Sequence, residues 1–131
     1  VLPTESQWEY ACRAGTTTAY SWGNTITSTN ANYNSNIGQT ANVGQYAANP
    51  WGFFDMHGNV WEWTADLYQA AYPSSNPVID PIGPALGSSR VNRGGSWYVG
   101  GASLRSAKRG TTSPSDRYVS VGFRVCLAPA R

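Results

Sequence analysis

Charged residues are scarce in this chain and unevenly placed. They make up 12% of the sequence, whereas an average soluble protein has about 25%. Lysine occurs only at Lys108, and Asp116 is the one acid after residue 90, although most of the arginines lie there. A nucleic-acid-binding patch is one interpretation, but phosphate contacts usually recruit lysine as well. We therefore favour late arginines that pair with early carboxylates inside one fold, and predict no nucleic-acid partner.

Long apolar runs are also missing. No stretch approaches the roughly 20 apolar residues that a membrane-spanning helix needs, so we predict no membrane span. The opening residues, "VLPTESQWEY", do not have the pattern of a signal peptide. We interpret this start as interior to a longer gene product, which leaves room for further domains.

Cysteine and histidine are too few for common metal chemistry. Cys12, Cys126 and His57 cannot form the usual four-ligand zinc site. The two cysteines form either one disulfide that closes nearly the whole chain, as in exported extracellular or cell-surface proteins, or two buried free thiols. A lone histidine in a turn is more often a hydrogen-bonding structural residue than a base, and we assign His57 that role.

Aromatic residues, glycine and proline are abundant by contrast. The chain has 6 Trp, 8 Tyr, 14 Gly and 8 Pro, a mixture that predicts a loop-rich fold held by aromatic side chains rather than a helical bundle. Residues 4–14 predict one helix, because Thr4 and Gln7 are spaced as a capping box. Trp8 lies on its apolar face, and Gly15 is a natural end.

The rest of the chain predicts strands separated by long loops. Residues 59–68 alternate as a strand does, and "RVNRGGSWY" and "SVGFRVCLA" are further strand-like pieces. Residues 16–50 predict an ordered loop pinned by aromatic side chains, and the proline-rich residues 69–89 a surface excursion. We predict a single irregular α+β domain over residues 1–131.

The stretch "FFDMHGNVWEW", residues 53–63, is the best candidate for a metal site. Asp55 and Glu62 are placed around a Gly-Asn turn, which can also direct backbone carbonyls towards a common point. Calcium takes six to eight oxygen ligands of these two kinds. We therefore predict a calcium site here.

Seven blocks of the sequence together resemble one protein family. They are "LPTESQWEYACRAG", "YSWGN", "NPWGFFDMHGNVWEWTAD", "DPIGP", "RVNRGGSW", "LRSAKR" and "VGFRV". Their order and spacing are similar to those of the formylglycine-generating enzyme (sulfatase-modifying factor) family over essentially the whole chain. The resemblance implies a variant of the C-type lectin fold with small antiparallel sheets, few helices and long ordered loops. It also implies that this chain covers only the later part of the family's domain.

The resemblance implies a ligand set for the calcium ion. Asp55 and Glu62 would bind it through their side chains, and Gly58 and Val60 through their backbone carbonyls. A second calcium site of the family uses the segment matching Asn32 and Tyr33, followed by an acid downstream. The chain has no acid between residues 9 and 55, which sets it apart from the family at that site.

The chain also departs from the family's catalytic pattern. True members oxidise a sulfatase cysteine to formylglycine with copper held by two thiolates, three and eight residues after the serine of the GGS motif. Those positions are Val99 and Leu104 here, and neither side chain can ligate copper. The resemblance also implies that Cys12 matches a structural disulfide position of some members, whereas Cys126 lies one residue beyond the partner position. We expect calcium as a cofactor and no copper.

Two functions follow from the departure. The first is a non-catalytic module that binds a protein or other macromolecular ligand, as do the diversified receptors of retroelement systems within the family. The alternative is a formylglycine-generating oxidase or an accessory domain of a larger enzyme. The first requires an exposed face made of small, aromatic and adaptable residues, although such residues also occur in loops that merely tolerate change. The predicted binding residues are Trp97, Tyr98, Val99, Gly100, Ser103, Thr111, Thr112, Asp116, Tyr118, Val119 and Ser120.

The sequence also predicts structural roles for a double-glycine turn and for three arginines. Gly94 and Gly95 should let the chain turn tightly, and Ser96 and Trp97 should anchor the turn by hydrogen bonding and packing. The three arginines of the family-like blocks should be at least partly buried against carboxylates or carbonyls; they are Arg105, Arg109 and Arg124.

Overall fold

The computed structural model describes residues 1–71 and 79–127, so part of the predicted surface excursion at 69–89 lies outside the described residues. The elements in chain order are helix α1 (Glu5–Arg13), strands β1 (Trp61–Leu67) and β2 (Arg90–Arg93), a 3₁₀ turn (Gly101–Leu104), and strands β3 (Arg109–Thr112) and β4 (Val121–Phe123). The rest of the described chain forms turns and loops. The predicted α+β class is confirmed.

Helix α1 begins where its capping residues predict. The Thr4 hydroxyl accepts from the Gln7 backbone N–H, and the Gln7 side chain accepts from the Thr4 backbone N–H, which satisfies two free donors of the first turn. Thr4 itself is extended, so the helix starts one residue later than predicted. It ends at Arg13, and Ala14, which caps it, takes a left-handed conformation with φ of 46° before Gly15.

The four strands form one sheet in the order β3-β2-β1-β4. Strands β1, β2 and β3 are antiparallel neighbours, and β4 is parallel to β1. The pairs Glu62–Arg93 and Arg93–Arg109 mark one end of the sheet, where β1 begins; we call it the β1-entry end. Thr112, paired with Arg90, marks the opposite end. The β1-entry end also carries the start of β4.

Two small apolar clusters pack the helix and the loops against one another. Trp8 and Cys12 of α1 pack with Met56, and Leu104 packs with Tyr20 and Ala31. The Trp8 indole also donates to Glu62 Oε2 at 2.6 Å, which ties the helix to β1. Packing of the helix on the sheet through Trp8 is therefore confirmed. None of the described helices is long and apolar enough to span a bilayer.

The late arginines do pair with early carboxylates. Arg93 has a side chain only 1% exposed and contacts both Glu5 and Glu9. The Arg109 guanidinium holds both oxygens of Glu5, at 2.7 and 2.9 Å. Arg124 holds both oxygens of Glu62 at 2.6 Å. The prediction is thus confirmed for two of the three named arginines.

Arg105 does not follow this pattern, and its predicted burial is wrong. It is exposed, and its Nε donates to the Ala102 carbonyl of its own turn at 3.1 Å. Among the arginines that the structure describes, the fully buried one is Arg93, because β2 is an inner strand and carries it beneath α1.

The two cysteines are both free. Cys12 is fully buried in the helix cluster, where desolvation raises the pKa of its thiol to about 12. Cys126 exchanges backbone hydrogen bonds with Val1. The alternative of a disulfide closing the chain is therefore wrong.

Candidate functional site

A double-glycine turn follows β2 at the β1-entry end. Gly94 and Gly95 both have positive φ, 94° and 76°, a conformation that glycine adopts without steric cost. A Cβ on Gly95 would lie 2.6 Å from Leu104 Cδ1. Both the conformation and the close approach require glycine, so the predicted tight turn is confirmed.

The segment after the turn is anchored by its backbone rather than by its side chains. The Trp97 N–H donates to the Asn59 carbonyl at 2.9 Å, and the Trp97 carbonyl accepts from Ser35 N–H at 2.7 Å. Within the described chain, the buried Ser96 hydroxyl and Trp97 indole nitrogen have no hydrogen-bond partner. The predicted anchoring by hydrogen bonding is therefore made by backbone groups, and the predicted packing by the Trp97 ring, which lies against Tyr98 with centroids 5.3 Å apart.

The two positions that would carry thiolates lie in an apolar environment. Leu104 is fully buried in the cluster with Tyr20 and Ala31, and Val99 packs against that cluster from the side. The space around these two positions is therefore filled by hydrocarbon. Val99 and Leu104 thus contribute to packing, at positions where the resemblance implies copper-binding thiolates.

The predicted binding residues differ widely in exposure. Ser120 is buried, with 4% of its surface exposed, because its carbonyl accepts from Trp61 N–H as β4 joins β1. Its assignment to a binding face is wrong. Those that are exposed are Tyr98, Gly100, Thr111, Asp116, Tyr118 and Val119, and those half-buried are Trp97, Val99, Ser103 and Thr112.

The exposed residues do not all share one face. Trp97 hydrogen-bonds to Asn59 and Ser120 to Trp61, so segments 97–100 and 118–120 both lie beside the chain that enters β1. Thr112, by contrast, lies at the opposite end of the sheet, where its hydroxyl accepts from Asn92 Nδ2 at 2.6 Å. Thr111 and Thr112 are thus strand residues apart from the others, and the predicted common face is wrong for them.

His57 is a buried residue with a structural role. Its Nδ1–H donates to the Leu104 carbonyl at 2.7 Å and its Nε2 accepts from Ser21 N–H at 3.2 Å. Burial lowers the pKa of His57 from 6.5 to about 4, although the bond to Leu104 opposes the shift. The imidazole is therefore neutral at physiological pH. The predicted structural role is confirmed.

Acid should unfold the protein through His57. The unfolded chain binds the imidazole proton near pH 6.5 and the folded chain only near pH 4, so protonation favours unfolding. We expect the free energy of unfolding to fall as the pH is lowered from about 6.5 towards 4. Urea titrations at several pH values measure this slope. His57→Gln should flatten it, and an unchanged slope in that variant would contradict the assignment.

The four predicted calcium ligands line one cleft. Asp55, Gly58, Val60 and Glu62 border an open cleft of about 410 Å³ together with Arg124. The aromatic side chains of the same cleft were not predicted: Phe53, Phe54 and Phe123. Among residues 1–71 and 79–127, no three His, Cys, Asp or Glu side chains form a group that could hold a metal. A cation here would depend on two carboxylates and on backbone carbonyls.

Glu62 is already held by two neighbouring side chains. Its Oε2 accepts from the Trp8 indole and from Arg124 Nε, and its Oε1 accepts from Arg124 Nη2. A carboxylate has about four lone-pair directions, so one on Oε1 is left. Asp55 has φ of 56° and accepts from Gly44 N–H at 2.7 Å through Oδ2. A calcium ion would therefore have to share Glu62 with the Arg124 guanidinium, and the calcium site stays a prediction.

Comparison with protein families gives one match over almost the whole chain. The family described as the sulfatase-modifying factor enzyme 1-like domain matches residues 1–129. A formylglycine-generating enzyme of Streptomyces coelicolor is 35% identical over 142 residues, which cover 94% of this chain and 45% of that protein. A protein named serine/threonine-protein kinase pkn1 of Chlamydia caviae is 40% identical over 126 residues, 94% of this chain and 20% of that protein.

Solved structures of the same fold include proteins with other names. Treponema denticola variable protein 1 superposes with a TM-score of 0.84 at 36% identity, covering 94% of this chain and 45% of that one. PvdO from Pseudomonas aeruginosa has a TM-score of 0.84 at 30% identity, covering 94% and 50%. The chain thus spans half or less of the length of these relatives.

Proposed function

Because the chain belongs to the sulfatase-modifying factor enzyme 1-like domain family, we propose that it is a non-catalytic binding module built on that family's fold. The observation that carries the proposal is the pair Val99 and Leu104. These side chains pack into one apolar cluster, at the positions where the family resemblance implies thiolates. Hydrocarbon side chains cannot bind copper. The segment around Val99 and Leu104 is therefore suited to presenting side chains to a ligand rather than to oxidising a substrate cysteine.

The exposed surface beside that pair supports a binding role. Tyr98 and Tyr118 are 51% and 57% exposed, and Val119 is 83% exposed. Tyrosine gives a large contact area at low conformational entropy cost, which is why it is common in binding loops. The structural likeness to a protein named variable protein 1 favours a macromolecular ligand over a small molecule.

An oxidase assay tests the proposal directly. We expect the purified chain to form no aldehyde on a sulfatase-type cysteine peptide, even with copper, oxygen and reductant supplied. The formylglycine-generating enzyme of Streptomyces coelicolor serves as the positive control. Mass spectrometry of the peptide gives the result, and aldehyde formation would favour the alternative of an oxidase.

Tolerance to substitution separates a displayed surface from a structural one. Changing Tyr98, Tyr118 or Val119 to serine should each alter the free energy of unfolding by less than about 1 kcal/mol. Ser120→Asp is the matched control, because it places a charge at a buried position and should cost several times more. Equal losses at all four positions in urea denaturation would count against a displayed surface.

An accessory role within a larger enzyme is the second candidate. It is favoured by the match to a protein named as a kinase, of which the matching region makes up only 20%. A domain in that position would bind a ligand or a neighbouring domain and leave the chemistry to another part of the chain. Deleting the matching region from the Chlamydia caviae protein tests this role. Loss of that protein's kinase activity would favour an accessory role, and activity that persists would favour an independent binding module.

Calcium is the cofactor that we propose for the cleft at β1. Asp55, the carbonyls of Gly58 and Val60, and Glu62 would hold it, and the ion would fix the loop before β1 to the strand. At a free calcium concentration of 100 times Kd, the free energy of unfolding should rise by about 2.7 kcal/mol.

A thermal melt with calcium and with EDTA measures this effect. Asp55→Asn should remove most of the calcium response, and asparagine also tolerates the positive φ at this position. Asp116→Asn, at an exposed loop residue, is the control and should keep the full response. If EDTA does not lower the melting temperature of the unchanged protein, the cleft does not bind calcium.

A further inference from the structure

A second cleft has a very different lining from the first. It is an open cleft of about 390 Å³ between the end of α1 and the turn that follows Leu104. Its volume lies within the range of about 300–1,000 Å³ that is typical of small-molecule sites. The lining residues are Arg13, Thr17, Thr18, Ala19, Arg105, Ala107 and Lys108. Three of them are cationic and none is acidic.

The cations differ in how they are engaged. Arg13 Nε is paired with Glu9 at 2.8 Å, and its Nη1 donates to the Thr18 carbonyl at 3.2 Å. Within the described chain, the Arg105 guanidinium and the Lys108 ammonium have no carboxylate partner. Each is exposed. Two positive charges without a carboxylate partner among the described residues thus line a cleft whose third cation shares the Glu9 carboxylate with Arg93.

Hydrogen bonds fix the backbone of the turn that carries these two residues. The Lys108 N–H donates to the Arg105 carbonyl at 2.8 Å, and the intervening Ser106 N–H donates to the Ala19 carbonyl at 2.8 Å. The Arg105 side chain is itself oriented by its bond to Ala102. Ser106 is buried, so the turn that carries both cations is fixed to the wall of the cleft. Such preorganisation lowers the entropy cost of binding.

We propose that this cleft binds an oxyanion group, of the phosphate or sulfate class, on a small ligand. Arg105 offers a planar fork of N–H donors and Lys108 a point charge, the two side chains that most often hold phosphate in proteins. The cleft volume of about 390 Å³ is more than ten times the roughly 30 Å³ that a water molecule occupies in the liquid. The cleft therefore has room for an oxyanion and for the group that carries the oxyanion. The proposal does not depend on the binding role proposed above, because the surface of Tyr98 and Tyr118 is not part of this cleft.

Titration with inorganic phosphate and with inorganic sulfate tests the site. In ¹⁵N-labelled protein at constant ionic strength, we expect saturable amide shift changes at Thr17, Thr18, Ala107 and Lys108. The ratio of the two dissociation constants tells which oxyanion the cleft prefers. Arg105→Gln and Lys108→Gln should each weaken binding by about tenfold.

The control variant is Arg117→Gln, which removes an exposed arginine in another loop. It should leave the affinity unchanged. Equal affinity in all three variants, or shift changes spread over every basic residue, would overturn the proposal. So would tight binding of duplex DNA with a steep salt dependence and no saturable response to phosphate, because the cations would then form part of a nucleic-acid surface.

Discussion

Replacing Arg93 with alanine should lower the free energy of unfolding by about 3–5 kcal/mol, the usual cost of removing one partner from a buried ion pair. The Arg93 side chain is 1% exposed, and it contacts Glu5 and Glu9 on α1. Its Nη1 donates to the Lys108 carbonyl at 2.5 Å, and its guanidinium lies 5.4 Å from the centre of the Trp8 ring. The change would leave two helix carboxylates without this partner and open a space beneath the helix.

Urea denaturation of the variant, monitored by tryptophan fluorescence, measures the loss. Arg117→Ala is the matched control, since Arg117 is exposed, and it should change the free energy of unfolding by less than about 0.5 kcal/mol. Combining Arg93→Ala with Glu9→Ala should cost less than the sum of the two single changes, because the two residues share one interaction. A loss below about 1 kcal/mol for Arg93→Ala would mean that Arg109 alone neutralises Glu5.

Gly58→Ala should be nearly as damaging, at about 2–5 kcal/mol. Gly58 has φ of 89°, and a Cβ there would lie 2.4 Å from the Asn32 carbonyl oxygen and 3.0 Å from Leu104 Cδ2. The left-handed conformation costs a residue with a Cβ about 1–2 kcal/mol. The contact with backbone, which cannot move aside as a side chain would, adds the cost of overpacking, about 1–3 kcal/mol.

Two other glycines separate these contributions. Gly52 has φ of 84° but open space around it, so Gly52→Ala should show only the conformational cost. Gly100 has a φ of −69° and open space, so Gly100→Ala should be close to neutral. Thermal or chemical denaturation of the three variants should therefore rank Gly58 above Gly52 above Gly100. A Gly58 variant no worse than the Gly52 variant would show that the loop at Asn32 adjusts.

The candidate site could be predicted in its chemistry but not in its arrangement. The family resemblance identified Val99 and Leu104 as the positions that depart from the copper ligands, and the sequence shows directly that they are apolar. It did not predict that Leu104 is buried beside Tyr20, nor that Ser120 is buried. The burial of Leu104 depends on contacts with Tyr20 and Ala31, more than 70 positions earlier, and that of Ser120 on how β4 joins β1, a pairing between residues some 60 positions apart. Local sequence carries no signal for such a pairing.

Sequence alone determined the features that depend on neighbouring residues. The capping box of Thr4 and Gln7, the helix that follows it and the double-glycine turn each satisfy backbone groups or steric limits within a few positions. The charge distribution along the sequence also predicted that late arginines pair with early carboxylates, although not which residues pair. The reason is that a charged side chain is stable in the interior only beside an opposite charge.

Only the tertiary structure decided which charges meet. It placed Arg93 beneath α1 and left Arg105 in solvent, although both arginines lie in blocks that resemble the same family. The inner position of β2 in the sheet order produced that difference, since an inner strand beneath a helix excludes water and a turn at the surface does not. A buried guanidinium requires carboxylates, whereas an exposed one is solvated and available to a ligand.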